Sequence, residues 1–344
     1  MSAAQPDDTG SAPHDTGSAP HDTAEGAVLI AEDVWGAAFE DLAASRVVLR
    51  RPDAWSDVKE LRDSLLSAGA LVVRNRTTVD RSLLEAAPNL QIVARAGVGL
   101  DNIDLDAADE LGVVVVAPLG ANAQSVAEHT IALALALARD VVGNDRRVRA
   151  GSWERVYGTE MAAKTWGVIG LGATGRAVCA LASAFGMRVV GYDPVLAPGA
   201  PLPAGLTVRA GELAELLASA DVVSLHLPLT ESTERMVDAG FLASMRAGSY
   251  LINVSRGGLV DEDALGDALD SGHLGGAGLD VRSAEPPKLG RLEGSPRVVL
   301  SPHIAGLTVE SQEAIVTALA SDIATVLGGS PASHAVGAHR RPNR

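Results

Sequence analysis

Three side chains that could exchange protons and bind anions lie in the second half of the chain. Arg256, Glu285 and His303 each come shortly after an apolar run that is predicted to be a parallel strand. The carboxyl ends of parallel strands share one edge of a sheet, where ligands of open α/β sheets bind. An arginine there can pair with a carboxylate and polarise a carbonyl, and an imidazole beside a carboxylate can exchange a proton near neutral pH. By spacing alone, a surface arginine and a structural histidine remain alternatives.

A glycine-rich turn upstream of these residues is typical of a dinucleotide site. It follows an apolar strand and opens a helical run, so Gly170 permits the tight turn, Gly172 lets the backbone approach a pyrophosphate, and Gly175 allows close helix packing. Asp193 ends the next strand about twenty residues on, where its carboxylate can bind the ribose hydroxyls. A turn role before Pro194 is the alternative. Because a carboxylate repels a 2′-phosphate, and no Arg or Lys occurs in the next five residues, NAD is predicted over NADP.

These residues require a parallel-sheet scaffold, and short apolar runs alternating with helical patterns predict one. The first part of the chain contains five strand candidates, Val28 to Ala31, Val47 to Leu49, Leu71 to Val73, Ile92 to Ala94 and Val113 to Val116. The second contains six, Trp166 to Gly170, Arg188 to Tyr192, Val222 to Leu227, Tyr250 to Val254, Gly276 to Asp280 and Val298 to Leu300. The predicted class is α/β, with two doubly wound parallel-sheet domains, a Rossmann cofactor domain and a flavodoxin-like substrate domain, separated by a cleft.

The domain boundaries follow from the order of these elements. Residues 26–120 and 304–330 are predicted to form a discontinuous substrate domain, because the helical segment after Ser311 is expected to return to the first sheet. Residues 121–303 are predicted to form the NAD-binding domain. It includes a helix from Ser125 to Arg139 that is apolar on nearly every face and is therefore expected between domains or subunits. The polar, Gly/Pro-rich repeat within residues 1–25 predicts a disordered tail, and a second tail is expected at 331–344.

Length and composition exclude several classes of protein. A chain of 344 residues favours two domains over one. The formal charge of −15 argues against nucleic acid and anionic membrane as partners, and no apolar run reaches the ~18 residues of a membrane helix. The single cysteine, Cys179, excludes an intrachain disulfide framework and fits a reducing compartment, so a cytoplasmic location is expected. No metal is expected.

Motifs that occur in order over roughly residues 50–325 closely resemble the D-isomer-specific 2-hydroxyacid dehydrogenase family, and its phosphoglycerate dehydrogenase-like branch. Besides the glycine-rich turn they are Val73 to Thr77, Arg95 to Asn102, Ser125 to Thr130, Gly158 to Met161, Asn253 to Gly258, Gly278 to Val281 and Ser301 to His303. The resemblance implies an NAD-dependent oxidoreductase that interconverts a small D-2-hydroxy acid and its 2-keto acid. It implies that His303 donates the proton during reduction, Glu285 supports its charged form, and Arg256 binds and polarises the substrate.

The same resemblance implies two sets of binding residues and a homodimer. The cofactor set is Thr77, Gly170, Gly172, Ala173, Thr174, Gly175, Asp193, Leu227, Val254, Ser255, Asp280 and Gly306. The substrate set is Arg74, Asn75, Val98, Gly99 and Arg256, with the backbone N–H groups near Val98 and Gly99 expected to receive the substrate carboxylate.

The sequence leaves the substrate open. For 3-phosphoglycerate, a cationic recess could come from Arg74, Arg76 and Arg155, whereas glyoxylate, hydroxypyruvate or another small 2-keto acid needs none. An NAD-sensing interaction protein without catalysis is an alternative from another class. The segment 281–284 departs from the family pattern of an aromatic and acidic residues, which again concerns substrate preference.

Histidines outside the predicted catalytic set are expected to be structural. Glu128 and His129, inside the apolar helix, are interpreted as a structural pair, and His226 and His273 as core or surface filling.

Overall fold

The computed structural model describes residues 26–196, 203–209 and 212–342. Its first sheet has the strand order β2-β1-β3-β4-β5, with every neighbouring pair parallel. The strands are β1 (Ala27–Ile30), β2 (Val48–Arg50), β3 (Ala68–Val73), β4 (Ile92–Arg95) and β5 (Val114–Val116). All five predicted strands are present, and their order is the flavodoxin-like one that was predicted. We call this sheet with its helices the five-stranded unit.

The second sheet has the order β12-β11-β10-β9-β6-β7-β8 and is again parallel throughout. Its strands are β6 (Thr165–Ile169), β7 (Arg188–Tyr192), β8 (Val208–Arg209), β9 (Val222–Leu225), β10 (Tyr250–Asn253), β11 (Gly276–Leu279) and β12 (Val298–Leu300). The strand order reverses between β6 and β9, which opens a ligand crevice at their carboxyl ends. The α/β prediction is confirmed, and β8 is a two-residue edge strand that the sequence did not reveal. We call this the seven-stranded unit.

Helices cover both faces of each sheet, as the continuous apolar runs of the strands require. On the five-stranded unit, one face is covered by α1 (Ala37–Ala43) and α12 (Val309–Leu327), and the other by α2 (Val58–Leu65), α3 (Arg81–Glu85) and α4 (Leu105–Glu110). On the seven-stranded unit, one face is covered by α5 (Ala123–Ala138) and α7 (Ala173–Ala184), and the other by α8 (Leu213–Ser219), α9 (Ala239–Ser244), α10 (Glu262–Asp270) and α11 (Arg291–Gly294). The remaining helix, α6 (Val141–Arg149), buries none of its residues. None of the helices described is long and apolar enough to cross a bilayer.

The C-terminal segment differs from its prediction. The expectation that residues 331–344 are disordered is wrong for 331–342, because Ala335 forms an antiparallel bridge with Val116 on the edge strand β5. The N–H of Val336 donates to Val115 over 2.9 Å. Pairing of this kind satisfies backbone groups that an edge strand otherwise exposes, and polar composition gives no sign of it. The predictions for 1–25 and 343–344 lie outside the described residues.

Candidate active site

A cleft of about 2300 Å³ lies between the two units and is lined by both. The predicted catalytic and substrate residues all line it, namely Arg74, Asn75, Val98, Gly99, Arg256, Glu285 and His303. Five predicted cofactor residues also line it, Thr174, Val254, Ser255, Asp280 and Gly306. The other predicted cofactor residues lie outside the lining of the cleft. Thr77 is buried, and Leu227 lies in the core next to the glycine-rich turn. The turn contains Gly170, Gly172, Ala173 and Gly175, and Asp193 lies beside it.

His303 and Glu285 are hydrogen-bonded to each other in the lining of the cleft. The Nδ1 atom of His303 lies 2.7 Å from Oε2 of Glu285. Burial raises the pKa of Glu285, but hydrogen bonds from His303 and from the Arg282 N–H, with the charges of His303 and Arg256, lower that pKa below its ordinary value. Glu285 is therefore ionised at neutral pH. A carboxylate that binds Nδ1 leaves Nε2 as the nitrogen that can exchange a proton with a ligand in the cleft.

Arg256 reaches from the seven-stranded unit to the five-stranded unit. It follows β10, and its Nε donates to Asp101 over 2.8 Å while Nη1 donates to the Ser255 carbonyl over 2.7 Å. A Cβ atom at Gly99 would lie 1.8 Å from Nη2 of Arg256, so only glycine lets the guanidinium lie against this backbone. The arrangement places a cation beside the N–H groups near Val98, where a carboxylate can bind.

Glu32 fixes the loop 74–77, and we did not single it out from the sequence. Its side chain is 3% exposed, and its carboxylate accepts hydrogen bonds from four consecutive N–H groups. The shortest distances are 2.8 Å from Arg74, 3.2 Å from Asn75, 3.1 Å from Arg76 and 2.9 Å from Thr77. Burial raises the pKa of Glu32, but these hydrogen bonds outweigh it and the pKa is lowered. The sequence contained a signal for Glu32, because this carboxylate comes just after strand β1, as Asp193 comes just after strand β7.

Arg95 is the second residue that the sequence analysis missed, although it lies in a quoted motif. It ends β4 and lines the cleft, and burial together with the nearby Arg256 lowers its pKa to about 10. Its Nε atom is buried without a hydrogen-bond partner in the part of the chain that the structure describes. Its Nη1 atom donates to the Ala96 carbonyl over 3.3 Å. A buried guanidinium beside a second one favours an anionic ligand.

The glycine-rich turn has the shape that NAD requires. Gly170 has φ 94°, and a Cβ atom at Gly175 would lie 1.9 Å from the Gly170 carbonyl oxygen. Nothing lies within 4 Å of a Cβ atom built at Gly172, so this backbone at the start of α7 is open to a pyrophosphate. Asp193 accepts a hydrogen bond from the Leu171 N–H over 2.7 Å, which places its carboxylate beside the turn. These residues fit the pyrophosphate and the ribose of a dinucleotide.

Asp280 holds the loop that carries His303. It is 1% exposed, and it accepts hydrogen bonds from Ser301 Oγ over 2.6 Å, the Ile304 N–H over 2.9 Å and the Ala305 N–H over 2.8 Å. Its contact with a cofactor stays a prediction.

His129, His226 and His273 lie in different surroundings. Glu128 and His129 do not pair, because Glu128 accepts from Gln124 and His129 Nε2 lies 2.8 Å from Ser301 Oγ. Burial lowers the pKa of His226 to about 3, so this histidine beside the cleft is neutral. His273 Nε2 lies 3.0 Å from two carbonyl oxygens, those of Leu242 and Met245. Among the described residues no group of three or more His, Cys, Asp and Glu could hold a metal ion.

The departure from the family pattern at 281–284 has a structural explanation. Arg282 pairs with Glu262 over 2.7 Å and with Glu293, and its N–H donates to Glu285 over 3.1 Å. It therefore fixes the loop that carries Glu285.

Two of the three arginines proposed for a cationic recess line the cleft, and the third does not. Arg74 donates to Gln312, and Arg76 lies over the Trp55 ring with its guanidinium carbon 4.7 Å from the centroid. Arg155 is exposed and lies outside the cleft lining.

Comparison with known proteins identifies the family. The model described as the D-isomer specific 2-hydroxyacid dehydrogenase, NAD binding domain, matches residues 131–305, about half of the chain. The chain belongs to the D-isomer specific 2-hydroxyacid dehydrogenase family. The family resemblance seen in the sequence is thereby confirmed, and the glycine-rich turn lies inside the region that matches the NAD binding domain.

Relatives in this family differ in how much of their length the chain covers. A D-3-phosphoglycerate dehydrogenase of Mycobacterium leprae is 44% identical over 275 residues, which is 79% of this chain and 52% of that protein. The chain therefore spans about half the length of such relatives. An (S)-sulfolactate dehydrogenase of Chromohalobacter salexigens is 41% identical over 88% of this chain and 98% of its own length. A crystal structure from Thermus thermophilus superposes with a TM-score of 0.83 at 34% identity, covering 90% of this chain and 99% of the other.

Proposed function

We propose that this protein is an NAD-dependent oxidoreductase that interconverts a small D-2-hydroxy acid and its 2-keto acid. The observation that carries this proposal is the convergence of the His303–Glu285 pair and Arg256 in one cleft with Thr174 of the glycine-rich turn. Asp193 beside the turn supports NAD over NADP, because its carboxylate would repel a 2′-phosphate.

Each catalytic residue has a distinct role in the proposed reaction. A nicotinamide held in the cleft would supply the hydride for the carbonyl carbon of the keto acid, or take it up in the oxidising direction. The Arg256 guanidinium binds the substrate carboxylate and polarises its carbonyl, with the N–H groups near Gly99 as further donors. His303 gives a proton from Nε2 to the carbonyl oxygen as the hydroxyl forms, and takes it back in the oxidising direction. Glu285 at Nδ1 stabilises the protonated ring and fixes its orientation.

The substrate we propose carries a second anionic group, a phosphate or a sulfonate. Arg95 supports this, because its buried guanidinium has an unpartnered Nε in the described chain and lies near Arg74 and Arg256. Two of the relatives described above are named for 3-phosphoglycerate and for sulfolactate. Glyoxylate and hydroxypyruvate, the alternatives, lack a second anionic group that could accept a hydrogen bond from the Nε atom of Arg95.

A substrate panel tests this proposal. Purified protein with NADH is given 3-phosphohydroxypyruvate, 3-sulfopyruvate, hydroxypyruvate and glyoxylate, and NADH consumption is followed. We expect turnover to be highest with a doubly anionic keto acid. In Arg95→Gln, kcat/KM for that acid should fall about tenfold to a hundredfold, from ~1.5–3 kcal/mol for a charged hydrogen bond, while hydroxypyruvate changes less. Tight NADH binding with no turnover across the panel would favour the NAD-sensing protein instead.

The same proposal includes a cytoplasmic homodimer. The helix α6 buries no residue, and in the segment that follows it Trp153 and Tyr157 are largely exposed. A second copy could cover these rings, since exposed aromatic patches mark interaction surfaces. Burial raises the pKa of the lone Cys179 thiol to about 12, which fits an inert cysteine in a reducing compartment. Light scattering of wild type and of Trp153→Glu with Tyr157→Glu tests the dimer, which the double variant should dissociate.

A further inference from the structure

We infer that His129 is a positioning residue of the active site, which acts on His303 through Ser301 and Asp280. The inference rests on the proposed function, because it assigns a residue that shapes the proposed proton-transfer loop. His129 lies in α5, outside the predicted catalytic set, and it does not form the structural pair with Glu128 that the sequence predicted. Its Nε2 atom lies 2.8 Å from Ser301 Oγ, two residues before His303.

The direction of the hydrogen bonds can be assigned from the groups involved. Ser301 has one hydroxyl proton, and its Oγ lies 2.6 Å from Oδ1 of Asp280. A carboxylate only accepts, so this proton is donated to Asp280. The Ser301 oxygen can then only accept from His129, and His129 must carry its proton on Nε2. The result is a directed chain from His129 to Ser301 to Asp280.

The chain ends on the backbone of the catalytic loop. Asp280 also accepts the N–H groups of Ile304 over 2.9 Å and Ala305 over 2.8 Å, and its own carbonyl accepts the N–H of His303 over 2.8 Å. His303 is therefore held on both sides by groups that meet at one buried residue, since Asp280 is 1% exposed.

The loop needs this restraint because of its backbone conformation. His303 has φ 55°, a left-handed value that is uncommon for non-glycine residues and that its surroundings must hold in place. If Ser301 rotates away from Asp280, one restraint on this conformation is lost, and the His303 ring moves relative to Glu285. His129 opposes that rotation because its Nε2–H donates a hydrogen bond to Ser301 Oγ. Its side chain is only 23% exposed, so water replaces it poorly.

Two substitutions at one position separate this role from general packing. In His129→Gln the amide nitrogen can occupy the place of Nε2 and donate to Ser301, whereas in His129→Asn the shorter side chain reaches only the place of Nδ1. We expect His129→Asn to lower kcat about tenfold with NADH affinity unchanged, and His129→Gln to stay within about threefold of wild type. His273→Asn is the matched control, because it removes a partly buried histidine whose ring bonds to the carbonyls of Leu242 and Met245 at the end of α9, and it should keep the wild-type rate.

Combining His129→Asn with Ser301→Ala tests the chain itself. Both changes break the same hydrogen-bonded link, and the direct approach of His129 Nε2 to Asp280 Oδ1, at 3.6 Å, is longer than a hydrogen bond. The rate of the double variant should therefore be close to that of Ser301→Ala alone. Fully additive losses, or equal rates for the Gln and Asn variants, would overturn the inference.

Amide hydrogen exchange provides a readout that does not depend on turnover. We expect the amides of Ile304 and Ala305 to exchange faster in His129→Asn than in wild type, with the strands unchanged, and His129→Gln to restore protection. If wild type reduces no keto acid, the proposed function fails while this comparison still stands. Unchanged exchange in the Asn variant contradicts the positioning role even when wild type is active.

Discussion

Replacing Glu32 by glutamine tests how the loop 74–77 is held. The amide keeps one acceptor oxygen and puts a donor where the other oxygen was. In the orientation that keeps Oε1, the N–H of Asn75 loses its acceptor, while those of Arg74, Arg76 and Thr77 keep an uncharged one. Leaving the part-buried N–H of Asn75 facing a donor costs ~1–3 kcal/mol, and losing the charge at the other three adds about 1 kcal/mol in all. We expect Glu32→Gln to lower the free energy of unfolding by about 2–4 kcal/mol at pH 7.

The pH dependence of this loss has a definite sign. The pKa of Glu32 in the folded protein lies below its ordinary value of 4.5. A carboxyl group of this kind stabilises the fold above its unfolded pKa, and the contribution disappears as pH falls through the folded pKa. The difference between wild type and Glu32→Gln should therefore be constant from about pH 6 to 8 and shrink below about pH 4.5.

Urea denaturation at several pH values measures this difference. At pH 7 the melting temperature should also fall by roughly 10 °C, from ~2–4 °C per kcal/mol for domains of about 150–250 residues. Glu313→Gln, on the exposed side of α12, is the control and should change stability by no more than ~0.5 kcal/mol. Because the loop carries Arg74 and Asn75, KM for the keto acid should rise more than kcat falls. This reasoning would be refuted if Glu32→Gln had the same unfolding midpoint as wild type at pH 7. It would also be refuted if the variant lost as much unfolding free energy at pH 4 as at pH 7.

Three further substitutions or deletions test other parts of the account. Gly99→Ala places a Cβ atom where the Arg256 guanidinium now lies, 1.8 Å from Nη2, so kcat/KM should fall about a hundredfold. Steady-state kinetics measures this, and Gly294→Ala, which meets nothing within 4 Å, should retain wild-type activity. Asp193→Ser should weaken NADH binding and reduce the preference for NADH over NADPH at least tenfold. Fluorescence titration measures both affinities, and an unchanged preference would contradict the assignment of Asp193 to the ribose. Deleting residues 331–344 should destabilise the fold by about 3 kcal/mol or more, because it leaves the buried carboxylate of Asp322 without the Ser333 and His334 donors. A denaturation curve equal to that of the full chain would contradict this.

Much of the site was predictable because parallel sheets bring the ends of their strands to one edge. Arg256, Glu285 and His303 lie 47 residues apart or less along the chain, and each follows a strand of the same sheet. The apolar runs predicted that sheet, so the convergence of these residues followed from topology. The glycine-rich turn was equally readable, since its spacing and its position after a strand fix its geometry.

The residues that were missed act through contacts between segments far apart in sequence. Glu32 binds N–H groups more than forty residues away, and polar spacing in one segment cannot predict such a partner. Arg95 is notable for its burial and its unpartnered Nε atom, which only the fold reveals. The C-terminal segment around Ala335 is polar and short, so its pairing with β5 was invisible to composition.

The most direct test of the central claim compares wild type with His303→Gln in NADH-dependent reduction of the best keto acid from the panel. We predict that wild type turns over, and that the variant loses about 10²- to 10⁴-fold in kcat while it binds NADH with wild-type affinity. A variant that keeps the wild-type rate, or a wild-type protein that binds NADH and reduces none of the keto acids, would contradict the account.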